Sequence, residues 1–131
     1  MNLRAHHLKL GADAESDAAR YLIKQGLKLK TRNYRSRWGE IDIIMNDGDV
    51  LVFVEVRYRS RNDFGSAAET IDHRKQQRIA RTAFCYNQEN NLHDDVAMRF
   101  DVVLIENYDK HASHNNAKID WIKNAFDACL D

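Results

Sequence analysis

The stretch IDIIMNDGDVLVFVEV, which runs from Ile41 to Val56, decides the fold of this chain. Two runs rich in β-branched residues flank an Asp-Gly pair, a pattern that predicts a β-hairpin. With Asp47 and Gly48 as the two turn residues, Asn46 lies opposite Asp49. Side chains alternate between the two faces of a strand, so one face of this hairpin is entirely apolar. Its members are Ile41, Ile43, Met45, Val50, Val52, Val54 and Val56.

The opposite face of the predicted hairpin carries acids. Glu40 lies across from Glu55, and Asp42 becomes a diagonal neighbour of Glu55, with roughly 7–8 Å between the backbones. Like charges opposite each other destabilise a strand pair, and a divalent cation would neutralise them because Mg²⁺ takes hard oxygen ligands. The alternative is a solvated face on which the acids and Arg57 form weak surface pairs.

A helix is predicted over about residues 12–25, and Gly26 would end it as a C-cap. Glu15 lies on the buried face of this helix, because the apolar residues share its side at helical spacing. Packed over the acidic face of the hairpin, the helix would bring Glu15 towards Asp42 and Glu55. The apolar stripe consists of Ala18, Ala19 and Leu22.

The second half of the chain alternates helix and strand signals. After a loop containing Gly65, a helix is predicted over about residues 72–87, with Asp72 as its N-cap. Residues 100–105 are predicted to form a strand and residues 107–116 a loop or turn. The inner stripe of the helix is Ile79, Ala83 and Phe84, and a short strand and helix through Trp121, Ile122 and Phe126 close the chain.

The element order is therefore α-β-β-α-β with a small α/β tail. This order predicts an α/β fold with a mixed central β-sheet flanked by helices. The 131 residues fit a single domain over residues 1–131. We find neither a signal peptide nor an apolar run that could span a bilayer, and a cytoplasmic protein is expected by elimination.

The charges of the chain are unevenly placed although they cancel. Twenty basic and twenty acidic residues give no net charge, so composition alone does not indicate a nucleic-acid binder. Two clusters, however, contain basic residues and no acids: residues 24–37 and residues 74–81. They predict either a polarised surface for phosphates or two ordinary solvated faces.

Four short motifs carry a resemblance to a known family. They are GEID at 39–42, FVEVRYR at 53–59, Lys75, and RFDVV at 99–103. In this order they resemble the YraN-like family of bacterial proteins, over residues 11 to about 126. That family looks like part of the restriction-endonuclease-like superfamily, PD-(D/E)XK, and is similar in layout to Holliday-junction resolvases.

The resemblance implies roles for individual residues. Asp42 matches the first acid of the superfamily signature, Glu55 the second, and Glu15 an extra acid on the first helix. Arg57 stands where the signature has lysine. Because arginine stays protonated in proteins, Arg57 would clamp the scissile phosphate and could not act as a general base. Lys75 is the candidate to supply an amine instead.

The function implied is that of an endonuclease, dependent on Mg²⁺ or Mn²⁺, that hydrolyses DNA phosphodiester bonds. Branched, repair or recombination intermediates are the substrates suggested, and a homodimer is expected by analogy. Two alternatives remain, a non-catalytic nucleic-acid-binding protein on the same fold and a protein-interaction domain. The catalytic residues would be Asp42, Glu55, Arg57 and Glu15; the metal ligands Asp42, Glu55, Glu15 and Glu40; and the nucleic-acid-binding residues Arg35, Arg37, Arg59, Lys75 and Arg78.

Overall fold

The computed structural model describes residues 3–59, 71–92, 96–106 and 118–128. The predicted loops around Gly65 and over residues 107–116 lie outside these ranges. The described elements are α1 (Leu3–Lys24), β1 (Lys28–Ser36), β2 (Gly39–Asp47), β3 (Val50–Arg59), α2 (His73–Glu89), β4 (Met98–Glu106) and β5 (Lys118–Phe126). Neither α1 nor α2, the helices of this described part, is long and apolar enough to cross a membrane.

The five strands form one mixed sheet in which spatial order follows chain order. The pairs β1–β2, β2–β3 and β4–β5 are antiparallel, whereas β3 and β4 are parallel. A parallel pair needs a crossover between its strands, and α2 lies in that connection. The predicted mixed sheet flanked by helices is thus confirmed.

Each helix covers one face of the sheet, which gives three layers. The predicted packing of α1 over the acidic face of the hairpin is wrong, because α1 packs on the opposite face, against Ile43, Met45, Val52 and Val54. The α1 layer buries Ala14, Ala18, Ala19, Leu22, Ile43, Met45, Val52, Val54, Val103 and Ile105. The α2 layer buries Ile41, Ile44, Leu51, Phe53, Ile79, Ala80, Ala83, Tyr86, Phe100, Val102 and Leu104. The predicted inner position of Phe84 is wrong: its side chain is 46% exposed, because Tyr86 and Ala80 complete the stripe instead.

Both helix boundaries that depend on capping residues are confirmed. Gly26 has φ 102°, and the amide of Leu27 donates to the carbonyl of Leu22 at 3.1 Å, as in a Schellman C-cap. Asp72 accepts a hydrogen bond from the amide of Lys75 at 2.8 Å and caps α2. The start of α1 lies earlier than predicted, at Leu3.

Two other differences from the sequence prediction concern strands. The basic segment after α1 forms β1, an edge strand whose charged side chains hide the two-residue period of a half-buried strand. At the other end, the described residues through Phe126 form the single strand β5 and not a strand followed by a helix. Pairing with β4 decides this conformation, and a single-sequence pattern does not show such pairing.

A buried aspartate ties β5 to the rest of the sheet. Asp101, on β4, is fully buried and accepts hydrogen bonds from Arg99 Nε at 3.0 Å, Trp121 Nε1 at 2.9 Å and the amide of Asn124 at 2.9 Å. Arg99 also contacts Asp47 at 2.9 Å. The charge of Asp101 is therefore neutralised inside the domain, and its donors come from both β4 and β5.

Candidate active site

The hairpin that carries the predicted site has a different register from the predicted one. Asp47 pairs with Val50, so the two turn residues are Gly48 and Asp49. Gly48 has φ 60° and occupies the first central position, where a type II′ turn favours glycine. The predicted diagonal placement of Asp42 and Glu55, and the pairing of Glu40 with Glu55, are therefore wrong.

The regular alternation of β2 breaks at Asp42. Residues two apart in a strand share a face, and yet Ile41 belongs to the α2 layer and Ile43 to the α1 layer. The pairing of β2 with β3 also ends at Ile43 and Val54. Beyond that point the amide of Val56 donates instead to Asp42 Oδ2 at 2.8 Å. The carboxylate of Asp42 thus fills the place where the two strands part.

Three acids meet at this break: Glu15 from α1, Asp42 from β2 and Glu55 from β3. We call them the carboxyl cluster. Asp42 lies close enough to Glu15 and to Glu55 for its charge to act on both. The cluster is nearly closed to solvent, since the exposed fractions of Asp42 and Glu55 are 8% and 7%.

Burial is the largest cause that raises the pKa values of the carboxyl cluster. Burial, followed by the charge of Asp42, raises the pKa of Glu15 to about 7 and that of Glu55 to about 7. Burial likewise raises the pKa of Asp42. Raised carboxyl pKa values of this kind are frequent in functional sites.

Two cations contact Glu55. Lys75 Nζ, from the first turn of α2, lies 3.4 Å from Glu55 Oε1, and Arg57 Nε lies 3.7 Å from the same oxygen. The Arg57 Nε is buried and has no hydrogen-bond partner among the described residues. The amine of Lys75 therefore enters the site. The sequence predicted the helix that carries Lys75 but not its approach to Glu55.

The remaining predicted ligands lie at the margin of the site. Glu15 Oε2 is 3.6 Å from Arg32 Nη2, so a basic residue of β1 partly compensates this acid. Glu40 is half-exposed, and its Oε2 lies 3.1 Å from Arg35 Nε. Glu40 therefore pairs with an arginine and affects Asp42 through its charge.

The predicted nucleic-acid-binding residues are only partly brought together. Lys75 lies in the site, and Arg35 is paired with Glu40. Arg37 stacks on Trp38, and Arg78 is exposed on α2. The side chain of Arg59 lies outside the described residues. Arg81, which the sequence analysis placed in the second basic cluster but not among the nucleic-acid-binding residues, contacts Trp38.

The donor set of the carboxyl cluster fits a hard divalent cation through two of its acids. Within the described ranges, no three acidic, histidine or cysteine side chains are arranged as ligands of one ion. Mg²⁺ commonly takes only one or two carboxylates, with water and substrate phosphate completing its shell. Asp42 and Glu55 meet that requirement, because both are oxygen donors whose negative charge is incompletely neutralised.

Fold and site together define a small α/β protein with a buried carboxyl cluster where two strands of its sheet separate. The chain belongs to the uncharacterised protein family UPF0102, whose family model matches residues 14–105. The resemblance to the YraN-like family found in the motifs is thereby confirmed.

Relatives of the chain are similar over almost their whole length. A UPF0102 protein of Methylobacillus flagellatus is 46% identical over 120 residues, which cover 92% of this chain and 98% of the relative. One from Coxiella burnetii is 44% identical over 119 residues, covering 91% and 92%. One from Pseudomonas fluorescens is 42% identical over 118 residues, covering 90% and 93%.

Proposed function

We propose that this protein is a metal-dependent nuclease of the restriction-endonuclease-like superfamily that hydrolyses DNA phosphodiester bonds. The observation that carries the proposal is the pair Asp42 and Glu55, buried side by side with the cations of Lys75 and Arg57 against it. A binding module needs no buried acids with raised pKa values beside a lysine, because phosphates are held by cations alone.

Each residue of the site has a task in this proposal. Asp42 and Glu55 would hold one or two Mg²⁺ or Mn²⁺ ions, with Glu15 as a further ligand through water. Such ions supply Lewis-acid stabilisation of the phosphate and make water a better nucleophile. Arg57 would direct its free Nε towards a phosphate oxygen as a charge-assisted donor.

Lys75 would perform the role of the lysine in the superfamily signature, since this chain has Arg57 at the position of that lysine. With a divalent cation held by Asp42 and Glu55, Lys75 would no longer be needed to neutralise Glu55, and its ammonium would be available to the scissile phosphate. A charged amine there would stabilise the negative charge that develops in the transition state. A junction-cutting enzyme of this kind would act as a symmetric dimer, because it makes two related cuts.

A second candidate function is a nucleic-acid-binding protein that does not cleave. The replacement of lysine by Arg57 within the signature favours it, as do the unpaired arginines on α2 described below. Sharing a fold with nucleases does not prove cleavage.

The experiment that separates the two functions uses purified protein with linear duplex, single-stranded and four-way-junction DNA. Each substrate is incubated with Mg²⁺, with Mn²⁺ and with chelator. Metal-dependent cutting would support the nuclease and identify the preferred DNA structure. Intact DNA under every condition, together with salt-sensitive binding, would favour the non-cleaving binder. If the protein neither cuts nor binds DNA, the protein-interaction domain is the remaining hypothesis.

Replacing Lys75 by methionine is expected to lower the cleavage rate by about one hundredfold, because one transition-state cation is lost. Substrate affinity should change much less, since Arg57 and the surface arginines remain. The measurement is single-turnover cleavage over a range of enzyme concentrations. Lys123→Met, on β5 and against Trp121, is the matched control. A Lys75→Met variant that cuts as fast as wild type would exclude this role.

The stability of the protein is expected to fall as pH rises from about 5 to about 8 in the presence of chelator. Glu15 and Glu55 have folded-state pKa values of about 7 against 4.5 for unperturbed groups. Between those values the folded protein binds more protons than the unfolded chain. Their contribution is therefore fully present below pH 4.5 and is lost as pH rises through 7, with a slope of at most about 1.4 kcal/mol per pH unit for each group.

Urea unfolding at a series of pH values measures this dependence. Glu55→Gln should flatten the profile and stabilise the protein at pH 8, whereas Asp49→Asn, at the exposed hairpin turn, should not. Saturating Mg²⁺ should restore stability to the wild type at pH 8, by about 2.7 kcal/mol at one hundred times its dissociation constant. Equal slopes for wild type and Glu55→Gln would contradict the assignment.

A further inference from the structure

The arginines of this protein divide into two groups by their partners. Among the described side chains, five arginines have a carboxylate within 4.0 Å: Arg20, Arg32, Arg35, Arg57 and Arg99. The other described arginines are Arg37, Arg74, Arg78 and Arg81, and within the described ranges no carboxylate pairs with them. All four belong to α2 or to the β1–β2 turn. Among the described residues, the arginines without a carboxylate partner are thus concentrated on α2 and the adjoining turn.

Two of these arginines are held against one aromatic ring. The guanidinium carbon of Arg37 lies 4.7 Å from the centre of the Trp38 ring, and that of Arg81 lies 4.6 Å from it. Guanidinium groups are attracted to the face of an indole. Both guanidinium groups therefore contact one ring, and neither has a carboxylate partner among the described residues. We call Arg37, Trp38 and Arg81 the arginine clamp.

The turn and the helix that carry the arginine clamp are fixed to each other. Ser36 Oγ lies 3.0 Å from Thr82 Oγ1 and accepts a hydrogen bond from the amide of Trp38 at 3.0 Å. Thr82 is fully buried and donates to the carbonyl of Arg78 at 2.7 Å. A methyl group on Gly39 would lie 3.7 Å from the Cβ of Arg78, which shows how closely the turn approaches α2. The two guanidinium groups are thus positioned before any ligand arrives, which lowers the entropic cost of binding.

A row of cations links the arginine clamp to the carboxyl cluster. Lys75, which contacts Glu55, Arg78 and Arg81 follow one another at three-residue intervals on α2. From Lys75 to Arg81 the helix advances about 9 Å, at about 1.5 Å per residue. One DNA strand carries a phosphate for about every 3.4 Å of helix axis. In a duplex, the clamp is therefore about two or three nucleotides along one strand from a phosphate held by Lys75 and Arg57 beside the carboxyl cluster.

We infer that the arginine clamp binds a phosphate of a nucleic-acid strand about two or three nucleotides from the phosphate at the carboxyl cluster. The inference rests on the proposed function for the position of the strand, although binding at the clamp needs no cleavage. Phosphate oxygens match the planar donor pattern of guanidinium groups. Because both guanidinium groups lie on the Trp38 ring, the clamp contacts the strand through its backbone and is expected to tolerate any base sequence.

The test is binding of a fluorescently labelled single-stranded DNA oligonucleotide in chelator, measured at several salt concentrations. The double variant Arg37→Ala, Arg81→Ala should bind at least about tenfold more weakly. The slope of log affinity against log salt should fall by about 0.7, since about 0.7 is lost for each phosphate contact to a single strand and the clamp contacts one phosphate. Arg20→Ala, on α1 and paired with Asp17, is the matched control and should bind like wild type.

Two variants of Trp38 test whether its aromatic ring contributes to DNA binding. Trp38→Leu removes the surface that holds the two guanidinium groups and should weaken binding about fivefold, whereas Trp38→Phe retains an aromatic face and should restore most of the affinity. Unchanged affinity and salt slope in the Arg37→Ala, Arg81→Ala variant would overturn the inference, as would a wild-type protein that binds no DNA.

Cleavage assays on the same proteins separate this inference from the nuclease proposal. If wild type cuts DNA and the double variant cuts with the same dependence on DNA concentration, phosphate binding by the arginine clamp is wrong and the nuclease proposal is supported. If neither wild type nor the double variant cuts DNA but binding depends on Arg37 and Arg81, phosphate binding by the clamp is supported and the nuclease proposal is wrong. If the double variant reaches the wild-type rate only at higher DNA concentration, both are supported.

Discussion

Asp42→Asn is expected to abolish metal-dependent DNA cleavage while the fold remains intact. The amide keeps the size of the carboxylate and an oxygen that can accept the hydrogen bond from Val56. It lacks the negative charge that a divalent cation requires of an oxygen ligand in this buried position. We expect a loss of at least about a thousandfold in rate, comparable with removal of a principal electrostatic contact in other enzymes.

The rate should be measured in single-turnover reactions on the DNA structure that wild type cuts best. Asp17→Asn is the matched control, because Asp17 lies on α1 and pairs with Arg20 at the surface. Circular dichroism and thermal unfolding verify that Asp42→Asn is folded; relief of repulsion should make it at least as stable as wild type above pH 7. Cleavage by Asp42→Asn at a rate near that of wild type would show that the nuclease active site lies elsewhere.

Asp101→Ala is expected to destabilise the protein by about 3 kcal/mol, the largest effect on stability that we predict. The fully buried carboxylate accepts hydrogen bonds from Arg99, Trp121 and the amide of Asn124. Its removal leaves buried donors without partners and an arginine that is only 16% exposed. Breaking a buried ion pair by removing one partner costs about 3–5 kcal/mol, and Asp47, which still contacts Arg99, places the effect at the lower end.

The corresponding change in melting temperature is about 10 °C for a domain of this size. Asp120→Ala is the matched control: Asp120 lies opposite Leu104 on the neighbouring strand and forms an exposed pair with Lys118. An exposed pair contributes about 0–1 kcal/mol. A loss of stability no larger for Asp101→Ala than for Asp120→Ala would show that the buried hydrogen bonds are individually dispensable.

The sequence was sufficient to predict which acids lie together but not how they meet. Period-two alternation placed Asp42 and Glu55 on neighbouring strands, and helical spacing placed Glu15 inward. The register was wrong because an Asp-Gly pair fits a two-residue turn in more than one way, and the glycine at position 48 took the first central position. The break in the alternation at Asp42 arises because Ile41 packs in the α2 layer, and this tertiary packing is not visible in the local sequence.

Long-range contacts account for the other gaps between sequence and structure. Lys75 reaches Glu55 because α2 crosses the sheet between two parallel strands, and a connection of that kind carries no local signal. In β1 the charged residues pair with acids of other elements, as Arg32 does with Glu15. A pattern read along one segment therefore showed a solvated basic run where the structure has a strand.

The chain-order arrangement of β1, β2 and β3 has a consequence for folding kinetics. Each of these strands pairs with its neighbour in sequence, and closing a short connection costs little chain entropy. The β2–β3 hairpin can therefore bring Asp42 and Glu55 together while water still surrounds them. Their desolvation comes only when α1 and α2 dock. Changes that relieve the repulsion between these acids should consequently slow unfolding more than they accelerate folding.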